Sequence, residues 1–176
     1  MTRRTDIDGR IAQGWGGLAP NGVHLNVLAA RRGSATAAAI TTAFTSPTDG
    51  YTPVLACVGE DQPSYVTLNP PTVILTKSRA MEGIHETLIF GAAPVGIAQG
   101  VLDVVADGLT EPDQDTLLLV SLWVDGAATN ETTVKNAARQ AMNAALREIV
   151  ADEHAEARAT LVAARETLRH PFYGGE

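Results

Sequence analysis

Leu117-Leu-Leu-Val-Ser-Leu-Trp-Val124 is apolar at every position but Ser121, so neither face of an extended chain here would suit water. A strand apolar on both faces belongs in the interior of a covered sheet, and this octet is predicted to be its central strand. Upstream, Ile97, Val101, Leu102 and Val105 share one helical face that ends at Gly108. Thr72-Val-Ile-Leu-Thr76, introduced by Asn69-Pro-Pro71, reads as another strand. Between them, Met81, Ile84 and Leu88 fit a short helix that Gly83 weakens. Phe90-Gly-Ala-Ala-Pro94 reads as a breaker, with Pro94 tolerated in the first turn of the helix that follows. Thr52 to Val58 is predicted as a mostly buried strand after the turn cluster Ser46-Pro-Thr-Asp-Gly50. In Val23-His-Leu-Asn-Val-Leu28, Val23, Leu25 and Val27 face one way and His24 and Asn26 the other. Ser34, after Arg31-Arg-Gly, is placed to cap a helix over Ala35 to Phe44. Gly14, Gly16 and Gly17 around Trp15 read as a loop. Two helices, Glu131 to Val150 and Glu153 to Arg169, close the chain before His170-Pro-Phe-Tyr173. The pattern predicts an α/β (α+β) class: one compact domain over 1–176, a mixed sheet packed by helices, without repeats or linkers.

Composition narrows the functions open to such a domain. With 176 residues, 45% hydrophobic and 19% charged, the chain carries enough apolar material for a sizeable core. A net charge of −7 argues against a nucleic-acid partner, because phosphate-backbone binding needs a basic surface. No apolar run is expected to approach the ~18 residues that span a bilayer. The first residues carry arginines but no apolar core of a signal peptide. The single cysteine, Cys57, suits a reducing, cytoplasmic setting.

Few residues stand out chemically. There is no Walker loop, Cys-x-x-Cys pair, His-Glu-x-x-His or Gly-x-Ser-x-Gly. Glu153, His154 and Glu156 point in different directions on a helix and read as a solvated face, so no metal is expected. A histidine such as His24 titrates near neutrality, which fits a general acid or base, but the strand pattern alone favours a histidine hydrogen-bonded at a loop or subunit contact. Lys77 either marks where a strand leaves the core or polarises a ligand at the strand end. Of the 13 basic residues only Lys77 and Lys135 are lysines, so a lysine kept here is one whose compact ammonium is wanted. His170-Pro-Phe172 reads as a chain end pinned for packing or assembly.

Taken in order, Val23-His-Leu-Asn, Arg32-Gly-Ser34, Gly50-Tyr-Thr-Pro-Val-Leu-Ala56, Thr76-Lys77, Phe90-Gly-Ala-Ala, Ala106-Asp-Gly108 and His170-Pro-Phe172 resemble the formaldehyde-activating enzyme family. The resemblance covers roughly residues 5 to 176. It implies a fold similar to the second domain of ribosomal protein S5, assembled as a homopentamer with its sites between neighbouring subunits. It implies condensation of formaldehyde with tetrahydromethanopterin, the carrier being a co-substrate, with no permanently bound cofactor and no metal. On this resemblance His24 is the catalytic proton donor, and Asn26, Leu55, Lys77, Arg79 and Pro94 fall at substrate-binding positions.

Three of those positions depart from the family's pattern. Asn26 replaces an aspartate, Arg79 a threonine, and Gly91-Ala-Ala-Pro94 a Gly-Pro-Ala-Gln segment. Each departure removes or alters a polar partner, so the acceptor is either tetrahydromethanopterin or a related amine carrier, and Arg79 would favour a more anionic one. A pentamer that binds or senses its ligand without turnover is the alternative from another class. A scavenger holding formaldehyde on Lys77 is a third.

Overall fold

The computed structural model describes residues 6–46, 48–152 and 155–169. In chain order its elements are β1 (Ile11–Gly16), β2 (Val23–Arg31), α1 (Ala35–Thr45), β3 (Val54–Leu55), β4 (Cys57–Val58), β5 (Val66–Thr67) and β6 (Thr72–Thr76). They continue as α2 (Ile84–Thr87), a π-helical turn (Leu88–Ala92), α3 (Ala93–Ala106), β7 (Thr116–Val124), α4 (Glu131–Ala151) and α5 (Ala155–Ala164). Five strands form a mixed sheet in the order β1-β2-β7-β6-β3, while β4 and β5 pair separately. Only the β6–β7 pair is parallel, and the helical run between them is the crossover that parallel pairing requires. β7 is the middle strand, as its two apolar faces predict.

The sheet's inner face is packed by α3 and α4. Val23, Leu25 and Val27 from β2 and Leu118, Val120, Leu122 and Val124 from β7 meet Ile97, Val101 and Val104 of α3 and Met142, Leu146 and Ile149 of α4. Arg139 of α4 grips Asp103 of α3 through two hydrogen bonds of 2.7 and 2.6 Å at the solvent edge of this layer. Among the described residues, the outer face is covered at one end only, where Ala37 and Ile40 of α1 pack on Ala30 and Val73, with Leu28, Leu117 and Leu119 alongside. They leave the other end of that face open.

The start of α1 is fixed as expected: Ser34 Oγ accepts the Ala37 N–H at 3.0 Å. Asp8 braces the same junction by accepting the Arg31 N–H at 2.7 Å, a bond that holds its carboxyl below the usual carboxylate range. Ser34→Ala is expected to cost about 1 kcal/mol, or about 2–4 °C in Tm, measured by thermal melting.

Several expectations are corrected by the structure. Gly14 and Gly16 lie in strand β1 rather than in a loop. They are glycines because α4 crosses them so closely that a Cβ would stand 1.9 Å from the Ala141 or Ala137 carbonyl oxygen. The Phe90–Pro94 segment does not break the helix. The π turn lets the Ala93 N–H reach the Leu88 carbonyl, and the helix passes Pro94, which has no N–H to place. Residues 84–106 therefore form one run of 23 residues, long and apolar enough to cross a bilayer, against the expectation that none existed. Half of its apolar window is buried in the fold, as in a core helix. Its inner face is shifted by a residue from the predicted one: Val104 is buried and Leu102 exposed. Thr52–Val58 is two short strands in different sheets rather than one buried strand, and Leu55 is 42% exposed at the sheet edge. Glu153, His154 and His170 to Tyr173 lie outside the described residues.

Candidate functional site

Strand register builds the site on the open half of the outer face. Trp15, His24 and Trp123 stand side by side across β1, β2 and β7, and Gln13, Asn26 and Ser121 form the next row. Lys77 follows the last residue of β6 and keeps the ladder going, its N–H donating to the Leu122 carbonyl at 2.7 Å. Its side chain reaches over β7 so that Nζ lies 2.6 Å from His24 Nδ1.

The imidazole is held from three directions. Gln13 Oε1 is 2.8 Å from Nε2, the Lys77 amine meets Nδ1, and the Trp15 ring lies against it with centroids 4.7 Å apart. Trp123 meets Trp15 edge-on at 5.8 Å. These contacts select one tautomer. An ammonium only donates, so Nδ1 offers its lone pair to Lys77 and Nε2 carries the hydrogen that Gln13 Oε1 accepts. Burial, and then the Lys77 charge, hold the His24 pKa below the usual histidine value. Burial lowers Lys77 from 10.5 to about 8, which places a partly deprotonated amine beside a neutral imidazole near pH 7.

The structure brings some of the predicted residues together and separates others. His24 and Lys77 are in contact, and Asn26 shares the face one row away. Leu55 pairs with Val73 on the edge strand, on the same face of the sheet. Arg79 instead pairs with Asp49 at 3.4 Å and packs against Gly50, in a depression that Met81, Glu82, Glu86 and Phe90 also line. Pro94 stands in the first turn of α3, within the helical layer on the inner side. Among the described residues, no three His, Cys, Asp or Glu side chains gather as a metal site.

Gln13, Trp15 and Trp123 were not singled out by the sequence patterns. The signal for the first two was present as a period-two alternation: Ile11, Gln13 and Trp15 outward, Ala12, Gly14 and Gly16 inward. Glycine at two inward positions disguised it.

Residues 16–173 match the family model described as formaldehyde-activating enzyme. The chain is also 27% identical, over 161 residues, to a 5,6,7,8-tetrahydromethanopterin hydro-lyase of Methanosarcina barkeri (strain Fusaro / DSM 804). That alignment covers 89% of this chain and 85% of the relative.

Proposed function

The chain belongs to the formaldehyde-activating enzyme family, and from that premise we propose that it is a carbon–oxygen lyase condensing formaldehyde with tetrahydromethanopterin or a related amine carrier to a methylene adduct and water. The observation that carries this is the pairing of His24 with Lys77 on an open sheet face, outside the packed core. Condensing an aldehyde with two amines passes through a carbinolamine that must lose its hydroxyl. A general acid is needed at that oxygen, and His24 is the proton-handling group at the centre of the cluster. Asn26, in the next row, offers an amide dipole where the family's pattern has a carboxylate. Holding the amine and the aldehyde together on the face supplies much of the remaining acceleration.

The carrier acts as a co-substrate, and no permanently bound cofactor is part of the proposal. Assembly as a homopentamer of S5 domain 2-like subunits belongs to the same reading. Support for assembly comes from exposed apolar side chains, among them Ile11, Trp15, Leu18 and Leu55, which would each gain from cover by a neighbouring copy. Such cover would also bring in groups, such as Arg79 or Pro94 of a second copy, that one chain keeps away from its own His24. A cytoplasmic setting is proposed with it.

The test is a coupling assay of formaldehyde with tetrahydromethanopterin, following methylene product against the spontaneous reaction. A clear rate above background is expected. If the ligand raises the melting temperature but no tested amine carrier turns over, the chain is a binding protein and the enzymatic proposal fails.

A further inference from the structure

A general acid does not by itself call for a primary amine at hydrogen-bond distance from it. Yet the structure places one there, at Lys77, in a chain whose other surface cations are almost all arginine. The tautomer chosen by Gln13 turns the Nδ1 lone pair of His24 towards that amine. A base within 2.6 Å of a half-buried lysine on an open face is the arrangement of an activated amine nucleophile.

We propose that Lys77 Nζ takes up formaldehyde covalently and holds the one-carbon unit as a methylene iminium, which the acceptor amine then collects. The step begins when His24 Nδ1 accepts a proton from the Lys77 ammonium. The freed lone pair forms a bond to the carbonyl carbon, the C=O π pair moves to oxygen, and a proton passes from Nζ to that oxygen to give the carbinolamine. The His24 imidazolium returns its proton to the hydroxyl, water leaves with the C–O bonding pair, and the nitrogen lone pair closes the C=N bond. The acceptor's first amine then adds to the methylene carbon, and a proton shift lets the C–Nζ bond break with its pair going to Lys77. The acceptor's second amine captures the new iminium and gives its surplus proton back to Lys77. Charge is conserved throughout, one water is released, and no oxidant or reductant is needed.

His24 serves both as base and as acid here, and the proton it donates is the one it has just received. That accounts for a proton donor whose own environment disfavours the imidazolium. With Lys77 lowered to about 8, roughly a tenth of it is free amine at pH 7, roughly two orders of magnitude more than for an ordinary lysine.

The inference rests on the proposed function for its electrophile, formaldehyde, and not for its acceptor. Its test therefore omits the acceptor. The full chain is treated briefly with limiting isotopically labelled formaldehyde, reduced with cyanoborohydride, and mapped by peptide mass spectrometry. Lys135 is the comparison amine within the same molecule. The expected result is a labelled methyl group on Lys77 at least about tenfold above Lys135. Equal labelling, or label that avoids Lys77, overturns the proposal. Lys77→Arg keeps a cation that can donate to His24 but cannot form the iminium. It is expected to lose at least about 100-fold in coupling rate with unchanged melting, and near-native turnover in that variant also overturns the proposal. Coupling without Lys77 labelling removes the covalent step alone. Labelling without coupling upholds that step and removes only the tetrahydromethanopterin reading.

Discussion

Replacing His24 with alanine is expected to slow methylene formation by about 10²–10⁴-fold while leaving the fold intact. The magnitude follows from what the imidazole does in either version of the chemistry: hydroxide is a poor leaving group, and the acid left in the cluster, the Lys77 ammonium, is a weaker one than an imidazolium. Gln13 is a neutral amide, and Trp15 and Trp123 donate only weakly through their indole N–H groups. The fold should tolerate the change because His24 points away from the packed face, where Val23 and Leu25 beside it are fully buried. Its partners Gln13 and Lys77 keep access to water, so neither is left buried and unpaired. The measurement is single-turnover coupling against the uncatalysed rate, with far-UV circular dichroism and melting as controls. A His24→Ala rate within about threefold of wild type would remove His24 from the chemistry.

The pH profile of kcat/KM separates two ways in which His24 can act. If a pre-formed imidazolium were the acid, the rate would fall as pH rises through the histidine's lowered pKa. If instead the Lys77 ammonium must hand its proton to His24, the pair has to enter the reaction holding one proton, so the rate rises as pH passes the histidine's lowered pKa and falls above about 8, where Lys77 has lost that proton. Through the histidine's pKa the two limbs have opposite signs, so one titration distinguishes them even where the mutants behave alike.

The legible parts of this fold were those in which side-chain chemistry alone decides the structure. β7 has no polar face, β2 alternates without exception from Val23 to Val27, and Ser34 caps an alanine-rich helix; each is visible one residue at a time. The parts that were misread depend on a neighbour that the local pattern does not show. β1 looks like a loop until α4 is laid across it, and the helix through Pro94 looks broken until the π turn is seen. The site divides in the same way. His24, Asn26 and Lys77 stand out in the sequence because alternation and lysine scarcity are local signals. Gln13 and Trp15 become partners of His24 only through the antiparallel register of β1 with β2, and Trp123 only through that of β2 with β7. Arg79 and Pro94 were placed by motif resemblance, and a single chain sets them in other neighbourhoods.

Gly16→Ala is expected to be the most damaging single-atom addition in the protein, together with Gly14→Ala. Each new Cβ would sit 1.9 Å from a carbonyl oxygen of α4, Ala137 for Gly16 and Ala141 for Gly14, far inside contact distance. Overfilled cores usually lose about 1–3 kcal/mol because side chains can turn aside. Here the obstacle is helix backbone, so relief requires moving the whole of α4. That helix is pinned from its other side as well, since a Cβ at Gly96 of α3 would come within 2.1 Å of the Lys135 carbonyl oxygen. Where α4 meets Gly14 and Gly16 its residues are Ala141 and Ala137, which have no long side chain to compress. A loss above about 3 kcal/mol by urea denaturation is therefore expected for either variant, and failure to fold for the pair. Gly91→Ala is the control: a Cβ there meets nothing within 4 Å, and alanine in a helical run should be neutral or favourable by about 1 kcal/mol. Activity should suffer beyond stability in Gly16→Ala, because Gly16 is the neighbour of Trp15 on β1. If β1 shifts to relieve the clash, Trp15 and Gln13 leave the imidazole and the tautomer that turns Nδ1 towards Lys77 is no longer enforced. A Gly16→Ala protein that melts like wild type would mean that α4 can move away without cost, and that close packing of α4 on β1 is not what holds Gln13 and Trp15 against His24.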